Sequence, residues 1–175
     1  MKKKSFEPQL VQATLEDYPT IQNMARFYVY DMSKECGFNS TDWNIPADGL
    51  YECFDFKEYF VNETRRAYKV LIDGELAGFV LLNHEVKFPK TDWNMGEFFI
   101  LGKFQKKGVG RAVVEKVFKL HPGYWEVSVI PENQIAYKFW RKTISEYTKD
   151  QYAEEVIIID YDPTQPKRIL FLFLL

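Results

Sequence analysis

Apolar residues along the chain switch repeatedly between a spacing of two and a spacing of three to four, and the switches predict its elements. Gln9 to Thr14 reads as a short first strand. Thr14 and Asp17 fit the two positions of a capping box, ahead of a helix whose Ile21, Met24, Ala25 and Tyr28 share one face. From Asp31 to Leu50, Ser, Asn, Asp, Gly and Pro accumulate and predict a loop, and Phe56 to Thr64 suggests a second short helix. Tyr68 to Ile72 and Leu76 to Asn83 predict a hairpin around Asp73-Gly74-Glu75, followed by a loop from Glu85 to Asn94.

The second half has the same clarity. A strand from Glu97 to Leu101 runs into Gln105-Lys106-Lys107-Gly108-Val109-Gly110-Arg111. A helix follows, with Val113, Val114, Val117, Phe118 and Leu120 on its buried face and His121-Pro122-Gly123 as its stop. Trp125 to Ile130 alternates as a strand, Pro131 ends it, and Asn133 to Ile144 predicts a helix with Ile135, Ala136, Phe139, Trp140, Thr143 and Ile144 on one side. Glu155 to Tyr161 and Arg168 to Leu175 are two apolar strands about a Pro-containing turn. An apolar last strand at a sheet edge invites pairing with another molecule, so it is expected either inside the sheet or in a homodimer contact.

Strand, glycine loop and helix together suggest an anion cradle. A helix start leaves backbone N–H groups without partners and carries partial positive charge, and glycines let a phosphate approach. Lys106, Lys107 and Arg111 add full charges suited to a pyrophosphate. The loop lacks the Lys-Ser or Lys-Thr pair of a Walker loop and the third glycine of a dinucleotide fingerprint. Taken alone, Gly108 and Gly110 fit a tight turn about as well as a ligand site.

Two motifs in order, Gln105-x-x-Gly108-x-Gly110 and Asn133-x-x-Ala136-x-x-Phe139-Trp140, resemble the GNAT superfamily of acyl-CoA-dependent N-acetyltransferases. The likeness covers most of the chain, and it looks closest to a prokaryotic subgroup with Glu-Phe-Phe before the loop and Phe-Trp-Arg in the later helix. It implies a single α/β (α+β) domain. Its mixed, mostly antiparallel sheet has about six to seven strands, is flanked by about four helices and is splayed at the cofactor strands. Acetyl-CoA is the implied cofactor and a small-molecule or peptide amine the implied acceptor. The cofactor-binding residues implied are Phe98, Phe99 and Ile100 on the strand, Gln105 through Arg111 in the loop, and Asn133, Ala136, Phe139 and Trp140 in the later helix. Asn133 also suits an ordinary helix N-cap.

Composition agrees with one globular enzyme-sized domain: 175 residues, 46% hydrophobic and 27% charged. A net charge of -2 argues against a nucleic-acid binder, and the Met1-Lys2-Lys3-Lys4 start reads as a solvated end. No secretory segment is recognisable and Ile169 to Leu175 is too short to span a bilayer, so a cytoplasmic protein is expected. Cys36 and Cys53 read as reduced packing residues and no metal site is expected, while His121 suits the dipole of the helix end beside it.

Acetyl transfer needs a base, because an amine with a reference pKa of about 10 is mostly protonated at neutral pH. Glu97 is the candidate, expected to share an apolar strand face with Met95, Phe99 and Leu101. It suits equally a strand carboxylate facing a polar neighbour or a backbone amide. The resemblance puts a stabilising backbone N–H at Phe98 or its neighbour and a cofactor pairing position at Ile100. Trp140 stands where the family usually has a tyrosine to protonate the leaving thiolate, which indole cannot do; Tyr137, one turn away, is the candidate substitute. Tyr28 and Asp31 are expected to hold the amine, with Glu35 the alternative to Asp31, among the aromatics Phe27, Tyr30, Trp43, Tyr51 and Phe54, most of which suit better an aromatic core under a long loop. A catalytically weak CoA-binding module, and an interaction domain dimerising through the last strand, remain the alternatives.

Overall fold

The alternating segments pair into one seven-stranded sheet in a computed structural model that describes residues 6–175; the lysine-rich start lies outside the described residues. The strands are β1 (Gln9–Gln12), β2 (Arg66–Ile72), β3 (Glu75–Asn83), β4 (Trp93–Ile100), β5 (Tyr124–Val129), β6 (Tyr152–Ile158) and β7 (Lys167–Leu174). Their spatial order is β1-β2-β3-β4-β5-β7-β6. All neighbours are antiparallel except β4 and β5. Four helices flank the sheet: α1 (Tyr18–Cys36), α2 (Glu58–Val61), α3 (Val109–Leu120) and α4 (Gln134–Thr148). This is the mixed, mostly antiparallel sheet that the resemblance implies.

The capping box forms as expected. Thr14 N–H donates to the Asp17 carboxylate at 3.0 Å, and the chain makes one 3-10 turn before α1 begins. Lys69 on β2 then donates to Asp17 at 2.7 Å and ties the helix start to the sheet. α1 runs on through the segment expected to be a loop at 31–36. Met32 and Cys36 continue its buried stripe while Asp31, Ser33, Lys34 and Glu35 occupy its outer side, so a polar run concealed one more helical turn.

Apolar side chains fill both faces of the sheet. Val113, Val117 and Phe118 of α3 and Ile144 of α4 pack on Trp125 and Phe171, whereas Ile21 and Ala25 of α1 pack with Phe56 on Phe79 and Leu81. The final strand lies inside the sheet. β7 pairs with β5 on one side and β6 on the other, so it offers no open edge; β6 takes that place, displaced toward the N-terminus from the expected Glu155 to Tyr161. The displacement follows from α4, which ends at Lys149 and Asp150 in left-handed conformation and delivers the chain to the sheet early.

The decisive irregularity is between β4 and β5. Only Trp93 with Trp125 and Asn94 with Glu126 pair, after which the strands diverge. The vertex is well pinned. The rings of Trp93 and Trp125 stack at 6.3 Å, and the buried Glu126 carboxylate accepts from the Lys87 N–H (2.7 Å), the Phe88 N–H (2.8 Å) and the Thr91 hydroxyl (2.8 Å). His121 is buried beside it, with its Nε2 2.7 Å from the Tyr68 hydroxyl, and burial pushes the imidazole down to about 4. It is therefore neutral at pH 7 and does not act as the charged helix stop expected from its position.

Past the vertex, Leu82 faces Met95 and Leu81 faces Glu97, leaving Gly96 as an extra residue in β4. This bulge overturns the expected straight face: Met95 joins the α3–α4 core, and Glu97 and Phe99 turn toward α1. Gly96 is required sterically, since a Cβ there would lie 2.4 Å from the Tyr59 hydroxyl and 2.8 Å from Asn83 Nδ2. Gly96→Ala should cost about 1–3 kcal/mol in chemical denaturation, the usual scale of overpacking. Wild-type stability in that variant would mean the bulge does not need glycine.

Candidate active site

The bulge and the split together expose one edge of β4. Leu101 N–H donates to the Ala77 carbonyl at 2.8 Å, and the alternation of an antiparallel ladder then turns the backbone groups of Phe99 and Glu97 toward β3. Those of Phe98 and Ile100 face the opening. A cleft of about 1140 Å³ runs from this edge across to α1, lined by Tyr28, Cys53, Tyr59 and Glu97 at one end and by Gly108, Asn133 and Ala136 at the other.

Glu97 is partly accessible from the cleft but set among protein groups, and that desolvation raises its carboxyl to about 7; the Tyr28 hydroxyl donates to it and opposes the rise. Its charge in turn acts on its neighbours. Burial first, and the Glu97 carboxylate second, push the Cys53 thiol and the Tyr59 hydroxyl each to about 12, and Tyr28 well above its ordinary value. These three therefore remain protonated at neutral pH. Glu97 alone among them changes charge near neutrality. The sequence marks Cys53 only as a packing thiol and Tyr59 only as part of a short helix, with no signal that either lines a cleft; α2 carries Tyr59, and the irregular segment ahead of it carries Cys53.

The glycine loop is built in detail. After the 3-10 turn Gly102–Phe104, Gln105 donates its side-chain amide to the Ile100 carbonyl at 2.7 Å and to Asp31 at 3.2 Å, fastening the loop to β4 and α1. Lys106 (φ 57°) and Gly108 (φ 83°) adopt left-handed conformation, and Gly108 is the N-cap of α3. No atom lies within 4 Å of the Cβ position of Gly108, so the helix start is open to approach. Gly110 has another explanation: a Cβ there would sit 3.3 Å from the Phe139 ring. Val109 is fully buried and offers its backbone only. Lys106 and Lys107 are exposed. Arg111 is engaged by Glu115 at 2.8 Å and by Glu146, so the loop presents less free positive charge than expected.

The α4 residues separate into two groups. Asn133 caps the helix, accepting from the Ala136 N–H at 3.0 Å, and its Nδ2 lies 3.0 Å from Met32 Sδ. Phe139 stacks on Phe98 at 5.6 Å and Trp140, buried, meets Phe98 edge-on at 5.2 Å, all within the cleft wall. Tyr137 points elsewhere. Its hydroxyl donates to Glu154 at 2.8 Å and its ring stacks on Phe171, so it faces β6 and β7 and is out of reach as a proton donor.

The family model for acetyltransferases (GNAT) matches residues 26–144, well over half of the chain, and the protein belongs to that family as an N-acetyltransferase. No curated protein matches it in sequence. Among solved structures, an acetyltransferase from Thermus thermophilus is 15% identical, with both chains covered in full and a TM-score of 0.66. A spermidine N-acetyltransferase chimera from Vibrio cholerae is 14% identical over 96% of this chain and 95% of its own, with a TM-score of 0.61. An acetyltransferase from Bacillus subtilis in complex with CoA is 14% identical over 98% and 99% of the two chains, with a TM-score of 0.54. At these identities the likeness is one of fold. No helix of the described residues is long and apolar enough to cross a membrane.

The raised carboxyl has a sign that can be tested. The native state holds the Glu97 proton more tightly than the unfolded chain does, so stability from this group is full below about 4.5 and is lost as pH rises through about 7. Glu97→Gln should therefore melt higher than the parent at pH 8, with the difference shrinking toward pH 4. An equal difference at both pH values would show that the carboxyl is not desolvated.

Proposed function

We propose that this N-acetyltransferase moves an acetyl group from acetyl-CoA to a primary amine by direct attack, with both substrates in the cleft. The observation that carries this reading is the opened edge of β4, where the Phe98 and Ile100 backbone groups line one wall and Glu97 the other. The residues present fit the cofactor: a glycine-started helix open to phosphate, an unpaired strand edge for an amide-bearing arm, and Lys106 beside both. When bound, acetyl-CoA supplies the thioester whose acetyl group is transferred.

The chain's own residues divide the work. The Phe98 N–H donates to the oxygen on which negative charge grows, a fixed donor that needs no reorganisation. Glu97, at about 7, accepts the proton that leaves the attacking amine, and the Tyr28 hydroxyl holds its carboxylate in place. Tyr28 and Asp31 line the acceptor side of the cleft. Gln105 fastens the loop, while Gly108 to Arg111 present the start of α3 and Asn133 and Ala136 the start of α4. No acid stands at Trp140, and Tyr137 faces away; a leaving thiol with an ordinary pKa of about 8.5 would need none from this chain. Trp140 is also the one feature that favours the second reading, a CoA-binding module with little turnover.

Calorimetric titration with acetyl-CoA, followed by a CoA-release assay on an amine panel, decides between them. Saturable binding with turnover is expected. Binding without release on any amine would leave the binding module, and absence of binding would sink both. Gly108→Glu should weaken acetyl-CoA binding by more than about tenfold through bulk and charge, whereas Gly108→Asn, which tolerates left-handed backbone, should retain most of it. Equal affinities in the two variants would contradict phosphate binding at α3.

A further inference from the structure

The cleft is electrically divided along its length. Its acceptor half, built by α1, the segment around α2 and the turn after β3, carries six carboxylates, Asp31, Glu35, Asp55, Glu58, Glu85 and Glu97. Against them stand two cations, Lys34 and Arg65, an excess of four negative charges with Glu97 ionised. Both cations are already held: Lys34 by Asp31 at 2.6 Å and over the Tyr30 ring at 4.5 Å, Arg65 by Glu85 at 2.5 Å and over the Tyr59 ring at 4.9 Å. The β6–β7 loop, which meets the segment after α1 through Gln165 and Trp43, adds Asp162 and Arg168, paired with each other at 2.7 Å, and leaves that excess unchanged. The half lined by α3 and α4 has the opposite sign, with Lys106, Arg111 and Lys142 against Glu146.

The neutral hydrogen-bonding groups on the acceptor side are engaged with one another. Asn83 donates to the Tyr59 hydroxyl at 2.7 Å and accepts from Asn94 at 2.9 Å and from the Glu85 N–H at 2.9 Å, while Tyr28 serves Glu97. Few amides and hydroxyls are left to pair with a polyhydroxylated acceptor. What is offered instead is carboxylate for ammonium groups and the rings of Tyr28, Phe54 and Tyr59 for methylenes. The carboxylates are also spaced. Tyr28 contacts Glu97, and Glu35 lies two turns further along α1, about 10 Å at 1.5 Å per residue. Neither the Glu35 nor the Glu58 carboxylate makes a hydrogen bond or ion pair among the described residues.

We infer that the acceptor is an aliphatic di- or polyamine, seated with one terminal amine at Glu97 and a second ammonium near Glu35 at the mouth of the cleft. This rests on the acetyl-transfer reading above. It excludes acidic acceptors and makes a simple monoamine a poor substrate, since only one of two electrostatic contacts would form.

The test is a CoA-release assay at saturating acetyl-CoA with 1,5-diaminopentane, a linear triamine, pentylamine and an aminoglycoside. The diamine and triamine should exceed pentylamine in kcat/KM by about tenfold, an advantage that fades as salt screens it. Glu35→Gln, and independently Glu58→Gln, should raise KM for the triamine several-fold with kcat held, and move pentylamine less. Pentylamine or the aminoglycoside equalling the triamine, or a triamine advantage indifferent to salt and to both variants, would overturn the polyamine assignment while acetyl transfer stands. Absence of release with every amine would overturn both, and is distinguishable because all arms fail together.

Discussion

A buried strand edge leaves backbone donors and acceptors that something must satisfy, and the parting of β4 from β5 creates such an edge in the middle of the sheet rather than at its margin. Much of the surrounding structure serves that opening. Trp93, Trp125 and Glu126 pin the closed end, Gly96 supplies the bulge that rotates β4, and Gln105 secures the open end to the carbonyl of Ile100. The opening is thus held from both ends, which lets unsatisfied groups persist at a fixed place.

The bulge also determines the chemistry. By moving Met95 to one core and Glu97 to the other face, it separates a wall of backbone donors from a carboxyl whose proton is held to about neutrality. Tyr28, Tyr59 and Cys53 remain uncharged around it, so ionisation of Glu97 is not masked by a neighbouring titration in the same pH range. Glu97 and the Phe98 N–H, the base and the oxygen-stabilising donor of the proposed mechanism, belong to adjacent residues of one strand. A single register error in β4 would exchange their faces.

Most elements were legible because their signals are local: the Thr14–Asp17 capping box, the hairpin of β2 and β3, and the strand, glycine loop and helix that carry Gln105 to Gly110. What failed to show depends on contacts distant in sequence. Nothing in Met95-Gly96-Glu97 announces a bulge, because the need for glycine arises from Tyr59 and Asn83. Likewise the last turn of α1 hid behind polar residues, His121 gave no sign of burial against Tyr68, and Tyr137 shares a helix with Trp140 but faces Glu154. The loop after β6 is another case: Gln165 accepts from Trp43 Nε1 at 2.5 Å across the mouth of the cleft, a contact spanning most of the chain.

The most direct measurement is hydrogen exchange at the Phe98 and Ile100 amides with and without CoA. Both should exchange faster than the β3-paired amides of Glu97 and Phe99 in the free protein and become protected when CoA binds. Unchanged exchange at Phe98 and Ile100, under conditions where calorimetry shows CoA bound, would contradict the opened edge of β4 as the cofactor's seat.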